Sequence, residues 1–302
     1  MATLKDVQNK ISAVKKTKQI TKAMNMVAAS KLRGAQGDME AFRPYASKFA
    51  EVLGSLADKA GEEASPLLVP RETVQNVHIA LCTSDRGLCG GFNSNLIDAA
   101  SQLVRERPEM SLSMTAFGKK GRDWARKTRL PIADEYLGVV GGRFDFSVAA
   151  NAGRKLVQDF LDGTYDEVYM VSSEFQSMSR QVPVVTQLLP IPALAIGEPE
   201  AEAEAAAAAD ADAPYLAEHI CEPSADELLG EMLPRNVYVQ IYRGLLETST
   251  SEHAARMMAM NNATQACNDM IDRLTLTYNK ARQAAITGEL MDIVGGAEAL
   301  KG

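Results

Sequence analysis

Cysteine and histidine are scarce in this chain, and neither is spaced for a metal. The four cysteines, Cys82, Cys89, Cys221 and Cys267, include no C-x-x-C pair, and His78, His219 and His253 lie far apart. That argues against a zinc site or a disulfide framework and fits a reducing compartment. No apolar run approaches the ~20 residues that cross a bilayer, so no inserted helix is expected. Lysine and arginine are missing from residues 198–231, which carry eleven acids. Proline is missing after Pro234, which leaves the end of the chain open to one long helix.

What is present fits a soluble protein with a substantial core. The 302 residues are 46% hydrophobic and 24% charged, enough for one large or two ordinary domains. The net charge of −7 hides an asymmetry, because residues 1–37 carry eight bases and one acid, Asp6. A basic arm of this kind meets nucleic acid, an anionic membrane or an acidic protein surface, or is simply a solvated helix face.

Apolar residues at the N-terminus step by three and four: Leu4, Val7, Ile11, Val14, then Ala28, Leu32, Ala35, Met39, Phe42, Ala46, Phe49, Leu53 and Leu56. That is a coiled-coil seam of about 80 Å. Lys18, Thr21 and Asn25 hold the seam positions in the gap, while Ile20, Met24 and Val27 form a displaced stripe. Either a stutter rotates that stripe into the core or the stripe faces a second partner; core packing is the commoner outcome. Pro44 predicts a bend near Arg43–Tyr45, and Gly61 with Pro66 end the helix. The seam stays in phase on both sides of the gap, so the basic N-terminus reads as mature protein rather than a transit segment.

The C-terminal region repeats the pattern through Met260, Ala263, Cys267, Met270, Leu274, Thr277, Ala281, Ala284 and Met291. A helix this long needs a partner helix, and the N-terminal one is available. Between them, Val77–Thr83, Met110–Phe117, Asp166–Ser172 and Val182–Ile191 read as strands, and Asn93–Arg107, Lys119–Lys127 and Phe146–Leu161 as helices. The alternation predicts a largely parallel sheet with covering helices. The expected divisions are residues 1–60 and 226–302 as one helical domain, 70–195 as the α/β domain, and 196–225 as an acidic insertion and foot segment, of which the alanine-rich stretch 198–214 has no apolar face to bury.

The stretch SDRGLCGGFN, residues 84–93, is a glycine turn between strand and helix, where many proteins hold phosphate. Gly87, Gly90 and Gly91 supply neither G-x-x-x-x-G-K-[ST] nor G-x-G-x-x-G. Their expected role is a tight structural turn, with Asp85 and Arg86 contacting a neighbouring helix or subunit. No G-x-S-x-G or H-E-x-x-H appears either. No catalytic, cofactor-binding or metal-binding residue is assigned.

Three motifs nevertheless carry a family likeness. ITKAMNMVAASK at 20–31 resembles the N-terminal helix of the γ subunit of F-type ATP synthases. SDRGLCGGFN resembles that family's loop after its first strand. EHAARMMAM at 252–260 and YNKARQAAIT at 278–287 resemble its C-terminal helix. The resemblance implies a long antiparallel coiled coil of N- and C-terminal helices with an inserted Rossmann-like α/β domain. It also implies a non-catalytic rotor inside a ring of three α and three β subunits, with the ε subunit and a membrane c-ring as further partners.

By the same resemblance, contacts with the catalytic ring fall on Lys22, Met24, Arg282, Gln283, Thr287 and Glu289. A foot contact with the c-ring or ε falls on Glu222, where His219 and Cys221 replace aromatics that the family favours. The implied location is peripheral, on the cytoplasmic face of a bacterial inner membrane. The rival readings are a nucleotide-binding α/β enzyme, favoured by the glycine turn, and a coiled-coil scaffold with a nucleic-acid-binding arm. The second is weakened because the bases come without interleaved aromatics.

Overall fold

The computed structural model describes residues 4–60, 65–192 and 224–299. In chain order its elements are α1 (Leu4–Ala60), β1 (Asn76–Cys82), α2 (Phe92–Arg105), β2 (Ser111–Phe117), α3 (Lys119–Thr128), β3 (Ile132–Tyr136), α4 (Phe146–Leu161), β4 (Glu167–Phe175), β5 (Gln181–Leu189) and α5 (Ala225–Ala299). Two compact units result: residues 1–29 with 256–302, and residues 30–255.

In the first unit the start of α1 and the end of α5 pair antiparallel. The Thr21 and Thr264 hydroxyls lie 2.8 Å apart, and Asn25 Nδ2 donates to the Met257 carbonyl at 2.8 Å. Pairing partners therefore descend in α5 as they ascend in α1. The polar seam positions stay inside, with Thr21 buried and Lys18 and Asn25 half-buried. Ile20 and Val27 are 60% and 59% exposed, and Met24 is half-buried. The stutter expectation is thus corrected. The heptad phase runs straight through the gap because the threonine and asparagine side chains find hydrogen-bond partners across the seam, which removes the cost of burying them.

The C-terminal seam also needs a correction. Met270, Thr277, Ala284 and Met291 are exposed. The inward positions are Met260, Thr264, Cys267, Ile271, Leu274, Tyr278, Ala281 and Ala285, a regular alternation of four and three. Met270 and Ile271 are adjacent and both apolar, so hydrophobicity alone did not fix the phase at that step.

The second unit holds a five-stranded sheet in the order β3-β2-β1-β4-β5. The first four strands are parallel, and β5 returns antiparallel to β4 at one edge. Strand β3, IADEY, was not expected: Asp134 and Glu135 hide the apolar pattern of an edge strand. Strand residues alternate between two cores. Ala80 and Cys82 face α4, Leu53 and Leu56 of α1, and Leu229 to Leu245 of α5. Ile79 and Leu81 face α2 and α3. Each fully buried leucine contributes about 1.5–3 kcal/mol by leaving water.

Local signals explain the helices that cover the sheet. In α2, Phe92, Leu96, Ala100 and Leu103 make one buried stripe at helical spacing. The Asp145 side chain caps α4 by accepting the Ser147 amide at 3.0 Å. A Cβ at Gly153 would lie 2.3 Å from the Tyr238 ring, so glycine there lets α4 and α5 approach closely. Both long helices continue through an internal proline, α1 through Pro44 and α5 through Pro234. Gly61 and the acidic insertion lie outside the described residues, as does Glu222 with its neighbours His219 and Cys221.

Candidate functional site

A parallel α/β sheet offers its ligand crevice beyond the carboxyl ends of its strands. In this chain the loop after β1, residues 84–93, lies there. Its core is a hydrogen-bonded knot in which the Ser84 amide donates to Asn93 Oδ1 at 3.0 Å and Asn93 Nδ2 reaches Ser84 Oγ at 2.8 Å. Of the three glycines singled out in the sequence, Gly90 has φ of 61°, while Gly91 caps α2 at φ −82°. A Cβ at Gly87 would meet nothing within 4 Å. Leu88, not a glycine, takes the second left-handed position with φ of 64°.

The anion position is filled by the protein itself. Asp85 Oδ1 accepts the Lys119 amide at the N-terminus of α3 at 3.1 Å, and Oδ2 accepts the Gly138 amide at 2.9 Å. A helix N-terminus attracts negative charge through its free N–H groups and dipole. The Asp85 carboxylate supplies that charge from within the chain. Close packing beneath it leaves little room, since a Cβ on Gly118 would fall 2.1 Å from the Thr83 carbonyl oxygen.

The remainder of the crevice is occupied by α5. Thr248, Ser249, Thr250, Ser251, Glu252 and His253 are six consecutive polar residues, none more than 3% exposed. They lie over the end of β4 and the loop after β3. Thr248 Oγ1 accepts the Ser173 amide at 3.1 Å, and Ser249 Oγ accepts the Gly141 amide at 3.3 Å. Ser251 Oγ donates to the Ser173 carbonyl at 3.5 Å, while the Thr250 hydroxyl returns to the Leu246 carbonyl in its own helix. Glu252 Oε2 is 2.8 Å from His253 Nδ1, close enough for an ion pair though not aligned as a hydrogen bond. Polar residues buried on every side of a helix are tolerable when they satisfy backbone groups that would otherwise be stranded. Sequence reasoning missed this segment. Its signal is a polar run without an apolar face, set inside an otherwise amphipathic helix.

His78 and Cys82 are buried within the sheet. His78 is fully buried, with Nδ1 2.7 Å from Ser113 Oγ and Nε2 2.9 Å from Thr115 Oγ1, and its ring packs on Tyr165. Burial, helped by nearby Lys155, lowers its pKa to about 3. Cys82 is buried with its thiol pushed well up by desolvation. Among the described residues, no group of three or more His, Cys, Asp or Glu side chains converges on a metal position.

The six residues expected to contact the catalytic ring all belong to the first unit. Lys22 is exposed beside a groove that Lys15, Lys18, Asn268, Ile271 and Asp272 also line. Arg282, Gln283, Thr287 and Glu289 are exposed on α5. The antiparallel register sets Lys22 and Met24 near residues 257–264, so Arg282 lies about 30 Å further along α5. The structure does not gather the six residues into one site; they form two stations on the helix pair.

Fold and crevice together define a protein of two long paired helices with an α/β domain whose ligand position is filled by its own chain. The chain belongs to the ATP synthase gamma-chain family. The family model described as ATP synthase matches residues 3–300. The chain is similar to the ATP synthase gamma chain of Desulfosudis oleivorans, 66% identical over 100% of both chains. It is also similar to that of Desulforapulum autotrophicum, 63% identical over 99% of this chain and 100% of the relative. Among solved structures, a chain of the Euglena gracilis mitochondrial ATP synthase OSCP/F1/c-ring assembly in rotational state 3 has a TM-score of 0.66. That match covers 98% of this chain and 94% of the other at 19% identity. A chain of the Euglena rotor in rotational state 1 has a TM-score of 0.61, covering 94% and 98% at 18% identity. These two likenesses concern the fold.

Proposed function

We infer that this chain is the central-stalk rotor of an F-type ATP synthase, turning inside a ring of three α and three β catalytic subunits. Membership in the gamma-chain family supports the reading, and one observation carries it. Ile20, Met26 and Val27 stand between 58% and 60% exposed on α1 while the polar Thr21 takes the inward position. A helix pair that turns polar groups inward and large apolar groups outward is shaped to be enclosed by other chains.

The chain is a non-catalytic subunit. Asp85 and the Thr248–His253 segment occupy the position where an α/β enzyme would take its ligand. Its work is mechanical. An asymmetric helix pair presents a different face to each of three catalytic sites, and differential contact biases each site toward binding, synthesis or release. Lys22 and Met24 form one station of contact with the ring; Arg282, Gln283, Thr287 and Glu289 form another. Arg282 is suited to a bidentate pair with a carboxylate. Glu222 contacts the c-ring or ε at the foot. No cofactor and no nucleic acid enter the scheme. No helix among the described residues is long and apolar enough to cross a membrane. The chain attaches peripherally, at the cytoplasmic face of a bacterial inner membrane, through the c-ring.

Reconstitution tests this reading. Mixed with α and β subunits, the chain should enter an ATP-hydrolysing complex in one copy per three α/β pairs. A complete α/β ring that forms with this chain left in solution would end the rotor reading.

A further inference from the structure

The loop after β3, Leu137–Phe144, is held from several directions at once. Asp85 Oδ2 accepts the Gly138 amide at 2.9 Å, tying it to the loop after β1. Lys31 Nζ of α1 donates to the Gly141 carbonyl at 3.2 Å. The Gly141 amide donates to Ser249 Oγ of α5 at 3.3 Å. One peptide-length segment therefore engages both long helices and the sheet domain. Val139 and Val140 are buried in the core shared with α4 and α5, so the loop is anchored from beneath.

Two glycines are needed for this geometry. Gly141 has φ of +78°, and a Cβ there would sit 3.2 Å from the buried Glu252 carboxylate. A Cβ on Gly142 would lie 2.1 Å from the Gly138 carbonyl oxygen, inside the turn closed by the Gly142 amide on the Val139 carbonyl at 3.0 Å. The chain thus holds a rigid turn against a close-packed helix face.

We propose that this turn is a clamp that fixes α1 and α5 to the α/β domain against rotation, with Lys31 and Ser249 as its positioning residues. The inference rests on the rotor reading. A hydrophobic core resists separation of a helix from its domain but is non-directional, so it resists twisting less well. Hydrogen bonds have preferred angles and oppose rotation about the helix axis. Lys31 and Ser249 grip the two ends of the same Gly141 residue, one from each helix, so a twist of either helix strains the same turn. Torque arriving at the domain passes into both helices at one level.

The test uses the whole ATP synthase in inverted membrane vesicles, carrying Lys31→Met together with Ser249→Ala, which remove the donor to the Gly141 carbonyl and the acceptor of its amide. ATP hydrolysis and ATP-driven proton uptake, followed with a pH-sensitive dye, are measured on the same vesicles. The clamp predicts unchanged assembly and a hydrolysis rate near that of the parent, with proton uptake per ATP reduced by about 2- to 10-fold. Lys31→Arg with Ser249→Thr, which keeps the donor and the acceptor, should restore the ratio. An unchanged ratio in the Met/Ala enzyme overturns the clamp, as does an equal defect in the Arg/Thr enzyme. A parent chain that fails to enter the complex at all would instead refute the rotor reading, which separates the two failures.

Discussion

The hydroxyls of Thr21 and Thr264 meet across the helix pair at 2.8 Å, two threonines at the point where the seam turns polar. Two protons serve this pair: one hydroxyl donates to the other, and the accepting hydroxyl donates back to its own helix, Thr264 to the Met260 carbonyl at 2.8 Å or Thr21 to the Lys18 carbonyl at 3.1 Å. A polar pair inside a coiled coil costs some stability and specifies one register, since any slip leaves its groups without partners. Paired cysteines read that register directly. Thr21→Cys with Thr264→Cys, on a Cys267→Ser background, should close to a disulfide under mild oxidation, seen as a mobility shift in a denaturing gel. A slipped pairing would leave both thiols free to alkylation.

Asp85 is the second test. Replacing it by alanine strands the Lys119 and Gly138 amides that it now satisfies. Stability should fall by about 1–2 kcal/mol, in the range of a lost helix cap. Asp85→Asn, which keeps an acceptor, should recover part of that loss. Denaturant titration of the three proteins gives the comparison, and calorimetry should find nucleotide affinity of the isolated chain unaltered.

Gly118→Ala should be far more damaging. The position has φ of +102°, and the added methyl would fall 2.1 Å from the Thr83 carbonyl oxygen, which is backbone and not free to swing away. A loss above about 3 kcal/mol is expected from backbone strain together with the clash. Gly87→Ala, with open space around it, should change the melting temperature little. The contrast between the two is the measurement.

His78 gives the fold a dependence on acidity. Its folded pKa of about 3 lies below the ordinary 6.5, so the folded state holds fewer protons between those values. Stability is therefore full above pH 6.5 and falls as the pH drops toward 3, with a limiting slope of about 1.4 kcal/mol per pH unit from this group. Urea titrations across that window should show the slope. His78→Gln, which can still bond to Ser113, should flatten it.

Much of this architecture is legible in the residues. The run VHIALCT predicts β1 within a residue because a strand buried on both faces is continuously apolar, and the periodicity of residues 92–103 predicts α2 for the converse reason. Edge strand β3 escapes because two of its five residues, Asp134 and Glu135, are charged and break the apolar run. The exposure of Ile20 and Val27 escapes for a different reason. Hydrophobicity ranks side chains by their preference for any interior, and it does not say whether an apolar stripe lies in this chain's own core or on its surface. The role of Asp85 was half legible. Its place in a strand-to-helix loop suggested contact with a neighbouring element, but the Gly138 amide that it accepts lies 53 positions away and only the fold brings it near.

The Thr248–His253 segment sets a condition on any small molecule aimed at this domain. The crevice over the strand ends already has an occupant, which is hydrogen-bonded to the sheet domain and covalently continuous with the rest of its own helix. A tethered group competes at an effective concentration set by its linkage rather than by its abundance. A compound entering there has to displace part of α5 and leave the Ser173 and Gly141 amides in need of new acceptors. An inhibitor of this site would work as a wedge, prising a helix from its socket, and its affinity would measure the strength of that joint.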